Sequence, residues 1–156
     1  MKRIFLVILL LLTLLTGCDN KEETEKNEYL AMKSDLLEVK KYTKSEDLNC
    51  DIVINVNRKN EEKISYDVVI SNPKENMNNV KVIVVHNYYT EEVFPSIGLF
   101  DKTTSLKVGD GEDNQIKLSG TIETTNDIAN LDLELKILIK YIDDNKQEKD
   151  IYYKTT

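Results

Sequence analysis

Apolar and polar residues alternate along two neighbouring stretches in the middle of the chain. Every second residue of 52–56, and again of 64–70, is aliphatic or aromatic. Period-two alternation is typical of β-strands with one buried face, and it predicts a strand at each place. Pro73 ends the second run, because a proline without an N–H cannot extend a hydrogen-bonded ladder.

The later part of the chain contains four more strand patterns. The stretch 80–85 is apolar at all but one position, which predicts a central strand buried on both faces. Alternation returns at 116–122 and is clearest at 131–141, where odd positions are apolar and even ones are mostly charged. A polar turn at 143–145 leads to a last strand around Ile151, which predicts a hairpin. Six or seven short strands separated by turns predict an all-β antiparallel sandwich.

Two of these patterns resemble a known architecture. The segment 64–73 followed by 79–85 resembles the paired strands of immunoglobulin-like domains on bacterial surface lipoproteins. The resemblance implies an Ig-like or fibronectin type III-like sandwich of about seven strands. The core tryptophan of antibody domains is missing, since the chain contains no tryptophan.

The N-terminus carries a different signal. Lys2 and Arg3 precede an apolar run, residues 4–15, that only Thr13 interrupts. Roughly a dozen residues fit the apolar part of a cleaved signal peptide and fall short of the roughly 20 that span a bilayer. A buried N-terminal helix or a short membrane anchor is the alternative interpretation.

The residues that close this run are Leu15-Thr16-Gly17-Cys18. They resemble the lipobox of bacterial lipoproteins. The resemblance implies that residues 1–17 are removed and that Cys18 carries a diacylglyceryl group, whose two acyl chains anchor stably where one would not. It also implies that the protein lies on the outer face of the plasma membrane, and Asp19 implies retention at the inner membrane in double-membrane bacteria.

The chain therefore divides into three predicted segments: the signal peptide 1–17, a lipidated cysteine with a polar tether at 18–35, and a β-sandwich domain at 36–156. Residues 19–28 are polar without periodicity, which is typical of a solvated tether.

The next stretch is ambiguous. Apolar residues recur at helical spacing, at Tyr29, Met32, Leu36 and Val39. Leu37 and Val39 also alternate with polar neighbours, as in a strand. We expect a short helix that gives way to a first strand.

Charge narrows the possible partners. The formal charge is −7, and loss of Lys2 and Arg3 with the signal peptide would lower it to −9. This acidity excludes the basic surface of a nucleic-acid-binding protein, and it would keep the domain off anionic headgroups.

Two cysteines in an exported chain would normally indicate one disulfide. A lipidated Cys18 has no free thiol, however, and this leaves Cys50 unpaired. We expect Cys50 to be a small apolar residue at the mouth of a strand, with intermolecular pairing or a reactive thiol as alternatives. Asp47 and Asp51 would raise the pKa of its thiol.

Catalytic signals are weak. His86 is the chain's only histidine, and no Gly-x-Ser-x-Gly motif accompanies it, so it is interpreted as a polar residue at a strand end. Glu91 and Glu92 could serve a carboxylate-dependent hydrolase, but neighbouring side chains in a strand point to opposite faces. We predict no catalytic residue, no cofactor and no enzymatic activity.

One acidic loop has the spacing of a calcium site, with oxygen ligands at Asp110, Glu112 and Asn114. Gln115 stands where an EF-hand needs its turn glycine, and Thr121 stands where it needs its glutamate. A solvated turn is therefore the favoured interpretation, and no metal is predicted.

The segment 88–100 is rich in aromatic residues for a connection between strands. Loops concentrate functional residues, and rigid aromatic rings make good contacts with partners. The candidate partner-binding residues are Tyr88, Tyr89, Phe94, Pro95 and Phe100. The alternative is that Phe94, Ile97, Leu99 and Phe100 form an edge strand or plug the sandwich.

The function that these patterns favour is a membrane-anchored, non-enzymatic module on the outside of the cell. It would bind a protein, a peptide or a component of the cell envelope. One alternative is a small immunity or sensor lipoprotein that intercepts a cationic peptide. The hydrolase is a less favoured third hypothesis.

Overall fold

The computed structural model describes residues 19–38, 48–58, 63–111, 113–123 and 132–155. Within them the chain is mostly β, with eight antiparallel strands in two sheets and one helix, α1 (Asp19–Leu37). This confirms the predicted antiparallel β architecture, which is consistent with a sandwich. The strands are β1 (Asp51–Arg58), β2 (Lys63–Ser71), β3 (Met77–His86), β4 (Ser96–Ile97), β5 (Thr104–Leu106), β6 (Ile116–Glu123), β7 (Leu135–Ile142) and β8 (Glu148–Lys154).

The smaller sheet has the strand order β1-β2-β6. Its central strand β2 pairs along its whole length, with Asp51 opposite Ser71 on one side and Ile70 opposite Ile116 on the other. In the larger sheet the order is β4-β3-β7-β8, and β5 pairs with the beginning of β3. The two short strands β4 and β5 thus follow each other along one edge of β3.

The main core lies between the sheets. Each strand contributes alternate residues to it, as the period-two pattern predicts. The small sheet supplies Ile64, Tyr66, Val68, Ile70, Leu118 and Ile122, and the larger sheet supplies Val80, Val82, Val84, Ile137, Ile139 and Tyr141.

A second cluster covers the outer face of the larger sheet. Three residues on one face of α1 pack there together with Phe94, from the connection after β3, and Leu99, which follows β4. The cluster contains Tyr29, Met32, Leu36, Ile83, Val85, Phe94, Leu99 and Leu138. Because β3 has the core on one face and α1 on the other, the prediction that it is buried on both faces is confirmed, and the helix is the physical reason.

Of the N-terminal predictions, the helix that carries Tyr29, Met32 and Leu36 on one face is confirmed, and the tether without regular structure is wrong. Residues 19–28, expected to be a tether without regular structure, form the first half of α1, and most side chains of residues 21–28 are exposed. The domain boundary placed after residue 35 falls inside this helix. Leu37 is still helical, whereas Val39, the signal peptide and Cys18 lie outside the described residues.

The predicted hairpin at the end of the chain is confirmed, and its turn is held by one side chain. Asp143 Oδ1 accepts hydrogen bonds from the N–H groups of Asn145 (2.8 Å) and Gln147 (2.9 Å). Lys146 takes the left-handed conformation that a glycine often fills, with φ 62°. This aspartate-centred turn replaces the usual Asn-Gly pair. The strand before it begins at Leu135, four residues later than its pattern predicted.

The sandwich has two distinct ends. At the hairpin end lie the β2–β3 connection and the turn 143–147. At the loop end lie residues 87–95 and the last residues of β6, because Glu123 pairs with Lys63 at the start of β2.

Helix α1 runs in the same direction as β3. Glu28 forms a 2.6 Å ion pair with Lys81, at the middle of β3. Further along the helix, the Lys33 ammonium lies 5.1 Å from the centre of the Phe94 ring, beside the end of β3. The N-terminus of α1 therefore points toward the hairpin end, roughly 13 Å beyond Glu28 at 1.5 Å per residue.

Candidate functional site

The connection after β3 turns back on itself at the loop end. Val84 donates its N–H to the Pro95 carbonyl (3.0 Å), which returns the chain to the side of β3. The N–H of Phe94 donates to the Tyr29 hydroxyl (2.9 Å), which fixes the same segment to α1. The connection is thus held at residues 94–95, and residues 89–93 project from the loop end.

This path divides the predicted partner-binding residues into two groups. Tyr89 is 86% exposed and Phe100 is 49% exposed, so both rings are accessible. Tyr88 and Pro95 are partly buried. Phe94 is 6% exposed, and this does not fit a role as a partner contact. Its ring packs under α1 on the outer face of the larger sheet, so it does not plug the space between the sheets. The edge-strand alternative is confirmed for Ile97, which lies in β4.

Between the projecting residues and β6 lies an open cleft formed by two adjoining cavities of about 180 and 260 Å³. We refer to it as the loop-end cleft. His86, Thr90, Glu92 and Thr121 line both cavities. The smaller cavity is also lined by Tyr66, Val93, Phe94, Pro95, Ser119 and Gly120, and the larger by Tyr89, Glu91, Ile122 and Glu123.

The smaller cavity has a buried hydroxyl at its floor. Tyr66 is 1% exposed, and its hydroxyl has no hydrogen-bond partner in the described part of the chain. Its ring lies against Gly120 on the neighbouring strand, where an added Cβ would overlap the ring. Burial raises the pKa of Tyr66, so the hydroxyl remains protonated and can both donate and accept a hydrogen bond. Buried polar groups are normally paired, so an unpaired hydroxyl in a residue that lines a cavity marks Tyr66 as a candidate ligand contact.

His86 lies next to Tyr66 in the same floor. Its ring meets those of Tyr66 and Phe94 edge-on, with centroids 6.3 Å and 4.9 Å away. Nδ1 accepts the N–H of Tyr88 (3.3 Å), so the neutral ring carries its proton on Nε2. Burial lowers the pKa of His86 and favours this neutral form. The floor thus offers two neutral hydrogen-bonding groups.

His86 ends β3, as predicted, but its meeting with Tyr66 was missed. A signal was present in the pattern: His86 has the same parity as the inward residues Val80, Val82 and Val84, and Tyr66 has the parity of Ile64 and Val68. The two sheets must face each other for this shared inward parity to become a contact.

The mouth of the cleft is acidic. Glu91 and Glu92 lie in the loop and are both exposed, so the expectation that a strand separates them to opposite faces is wrong. Glu91 accepts a hydrogen bond from the Tyr89 hydroxyl (3.3 Å). Glu123 also lines the mouth and pairs with Lys63 at 3.0 Å. Carboxylates at an open mouth favour a cationic group on whatever enters.

A serine of β6, Ser119, also lines the loop-end cleft. Its hydroxyl donates to Asp67 rather than to His86. The arrangement of donors and carboxylates suits binding.

Two of the three candidate calcium ligands, Asp110 and Asn114, lie among the described residues. Asn114 bonds both the N–H and the carbonyl of Lys107 and so closes the turn before β6. Asp110 is exposed, and Glu112 lies outside the described residues. Among the residues that are described, no three His, Cys, Asp or Glu side chains come together as a metal site.

Cys50 is buried, with 2% exposure, at the start of β1. Burial, followed by the nearby Asp51 carboxylate, raises the pKa of its thiol to about 11. Asp51 thus acts as predicted, whereas Asp47 lies outside the described residues. The environment fits the small apolar residue that we expected and works against a reactive thiolate.

Comparison with protein-family models, curated proteins and solved structures found no match to this chain. In the described part of the chain, the helix is not long and apolar enough to cross a membrane.

Proposed function

We propose that this chain is a lipid-anchored, non-enzymatic binding module on the outer face of the plasma membrane. It would bind a protein, peptide or cell-envelope partner through the loop-end cleft. The observation that carries the binding role is the buried Tyr66 hydroxyl, which has no partner among the described residues and belongs to a residue that lines the cleft beside His86. The anchor is proposed from Leu15-Thr16-Gly17-Cys18.

The direction of α1 supports a particular orientation. If Cys18 carries the lipid, the anchor immediately precedes Asp19, the first residue of α1, whose N-terminus points toward the hairpin end. The cleft would then open at the opposite end, away from the bilayer. In proteoliposomes, brominated lipids should quench a fluorophore at Lys146 more strongly than one at Tyr89. Equal or reversed quenching would contradict this orientation.

We also propose that the sandwich is of the immunoglobulin and fibronectin type III kind. Lettered in chain order, β1-β2-β6 corresponds to strands A-B-E and β3-β7-β8 to strands C-F-G. We assign β4, which pairs with β3, to strand C′. An experimental structure in which β6 leaves β2 for another neighbour would overturn this assignment.

The two cysteines provide a matched test of the anchor. In a bacterial host, the wild type and Cys50→Ala should fractionate with membranes, and mass spectrometry should find a diacylglyceryl group on Cys18. Cys18→Ala should not be lipidated and should not be cleaved after residue 17. If Cys18→Ala were processed and membrane-bound like the wild type, the lipoprotein proposal would fail.

The acidic mouth favours one second candidate, a small immunity or sensor lipoprotein that intercepts a cationic peptide. Glu91 and Glu92 are exposed where such a peptide would enter. Deletion of the gene should then sensitise the cell to a cationic antimicrobial peptide, and reintroducing the wild type should restore resistance. Unchanged sensitivity would eliminate this candidate and leave the binding module unaffected.

A further inference from the structure

The loop-end cleft is bordered by one edge of a sheet. Five consecutive residues of β6, Ser119–Glu123, line it. Side chains on a strand alternate between faces, so an uninterrupted run along a cavity indicates that the edge of the strand, with its backbone groups, borders the space. β6 pairs with β2 on its other side, and the described residues supply no strand along this edge.

An open strand edge with a neighbouring side-chain pocket is the arrangement that recognises extended peptides. Backbone hydrogen bonds along the edge provide affinity, and pockets for alternate side chains provide specificity. We infer that the loop-end cleft binds an extended peptide segment that adds to β6 as a further strand and carries a basic side chain. This inference deepens the proposed function and rests on it.

The two cavities define which side chains enter. The cavities adjoin, because they share four lining residues. They therefore suit the side chains of residues i and i+2 of a strand, which lie roughly 7 Å apart on one face. The smaller cavity, about 180 Å³, is lined by Tyr66 and His86, and a hydroxyl and an imidazole N–H suit a small hydrogen-bonding side chain such as asparagine. The larger cavity carries Glu91 and Glu92 and suits lysine or arginine.

The test uses the protein as its bacterial host produces it, purified in detergent, and dye-labelled seven-residue peptides read by fluorescence anisotropy. The probes are valine- and threonine-rich peptides with asparagine and lysine two positions apart, in both orders. Matched peptides replace the lysine with glutamate or carry N-methyl groups on alternate backbone nitrogens. We expect binding by a lysine peptide, and binding at least tenfold weaker by its glutamate and N-methylated counterparts.

Variants of the protein identify the site. Tyr66→Phe removes only a hydroxyl and should weaken the lysine peptide about three- to tenfold. Glu92→Gln removes only a charge and should weaken it about two- to fivefold, with less dependence on salt. Glu148→Gln, an exposed residue at the hairpin end, is the matched control and should bind as the wild type. Bound peptide should also slow hydrogen exchange in residues 119–123.

Several outcomes would overturn the inference. These are failure of every lysine peptide to bind, equal binding by the N-methylated peptides, and equal binding by N-acetyl-lysine amide, which has no strand to add. Unchanged affinity in both Tyr66→Phe and Glu92→Gln would also remove the cleft as the binding site. The lipid anchor is tested separately by the Cys18 fractionation, so its failure is distinguishable from all of these.

Discussion

The Tyr29 hydroxyl accepts a hydrogen bond from the backbone N–H of Phe94 at 2.9 Å, and this bond joins the helix to the connection that forms the loop-end cleft. The tyrosine ring also packs against Phe100, with centroids 5.0 Å apart. One residue of a segment that the sequence presents as a tether thus positions one wall of the candidate site.

Removing this hydroxyl tests the role of the helix. Tyr29→Phe leaves the buried N–H of Phe94 without its acceptor, so the free energy of unfolding should fall by about 1–3 kcal/mol. Urea denaturation followed by circular dichroism measures the change. Tyr89→Phe removes an exposed hydroxyl as the matched control and should stay within about 0.5 kcal/mol of the wild type. Equal effects of the two substitutions would contradict the coupling.

Loss of the hydroxyl should change the free energy of unfolding differently at two buried tyrosines. Tyr141 donates to Glu75 (2.6 Å) and accepts from Asn49 (3.0 Å), so Tyr141→Phe should lower the free energy of unfolding by about 1–3 kcal/mol. The Tyr66 hydroxyl has no partner in the described chain, so Tyr66→Phe should leave stability unchanged or raise it by about 1 kcal/mol. A comparable loss in Tyr66→Phe would mean that its hydroxyl is bonded within the protein.

Gly120 should be coupled to Tyr66. A methyl group at Gly120 would overlap the tyrosine ring, so Gly120→Ala should cost about 1–3 kcal/mol of unfolding free energy. The cost should shrink in a Tyr66→Leu background, where the ring is absent. A double-mutant cycle in urea measures this coupling. Additive effects would show that the ring and the glycine do not constrain each other.

The thiol of Cys50 should be inert in the folded protein. It is buried, and its pKa is raised to about 11, so little thiolate forms at pH 8. In the Cys18→Ala variant, whose remaining thiol is Cys50, a thiol-reactive dye should label the protein only after urea unfolds it. Rapid labelling of the folded protein would revive the reactive-thiol alternative.

Stability should fall as the pH drops below about 6.5 because of His86. Its pKa is lowered in the folded state by burial, so the unfolded chain binds the proton more readily below the ordinary value of 6.5. His86→Gln should lose this part of the pH dependence, measured by urea denaturation from pH 8 to 5. Glu75, whose pKa is lowered from 4.5 chiefly by the Tyr141 hydroxyl, contributes stability that is lost at more acidic pH, so the two effects separate. The same slope in both proteins would contradict this assignment.

The strand pattern could be read from the chain because a half-buried strand requires alternation. β2, β3 and β6 lie where their runs of apolar residues predicted. β2 ends at Ser71, before Pro73, as predicted. The short strands β4 and β5 have two and three residues and carry too little pattern to be recognised. They exist because the connection after β3 folds back along its edge, which depends on contacts with α1.

The candidate site was only partly predictable because it too depends on contacts with α1. The pattern identified the segment that contains Tyr89 and Phe94, but not which ring would be exposed, since that depends on a helix more than fifty residues earlier in the chain. Alternation along the chain determined the strands, and the small residues before Cys18 determined the proposal of an anchor. Only the tertiary structure joined Tyr66 to His86 across two sheets, bordered them with the edge of β6 and covered the other face with α1. Contacts between residues distant in sequence arise from packing, and local patterns specify which faces are buried but not which residues meet there.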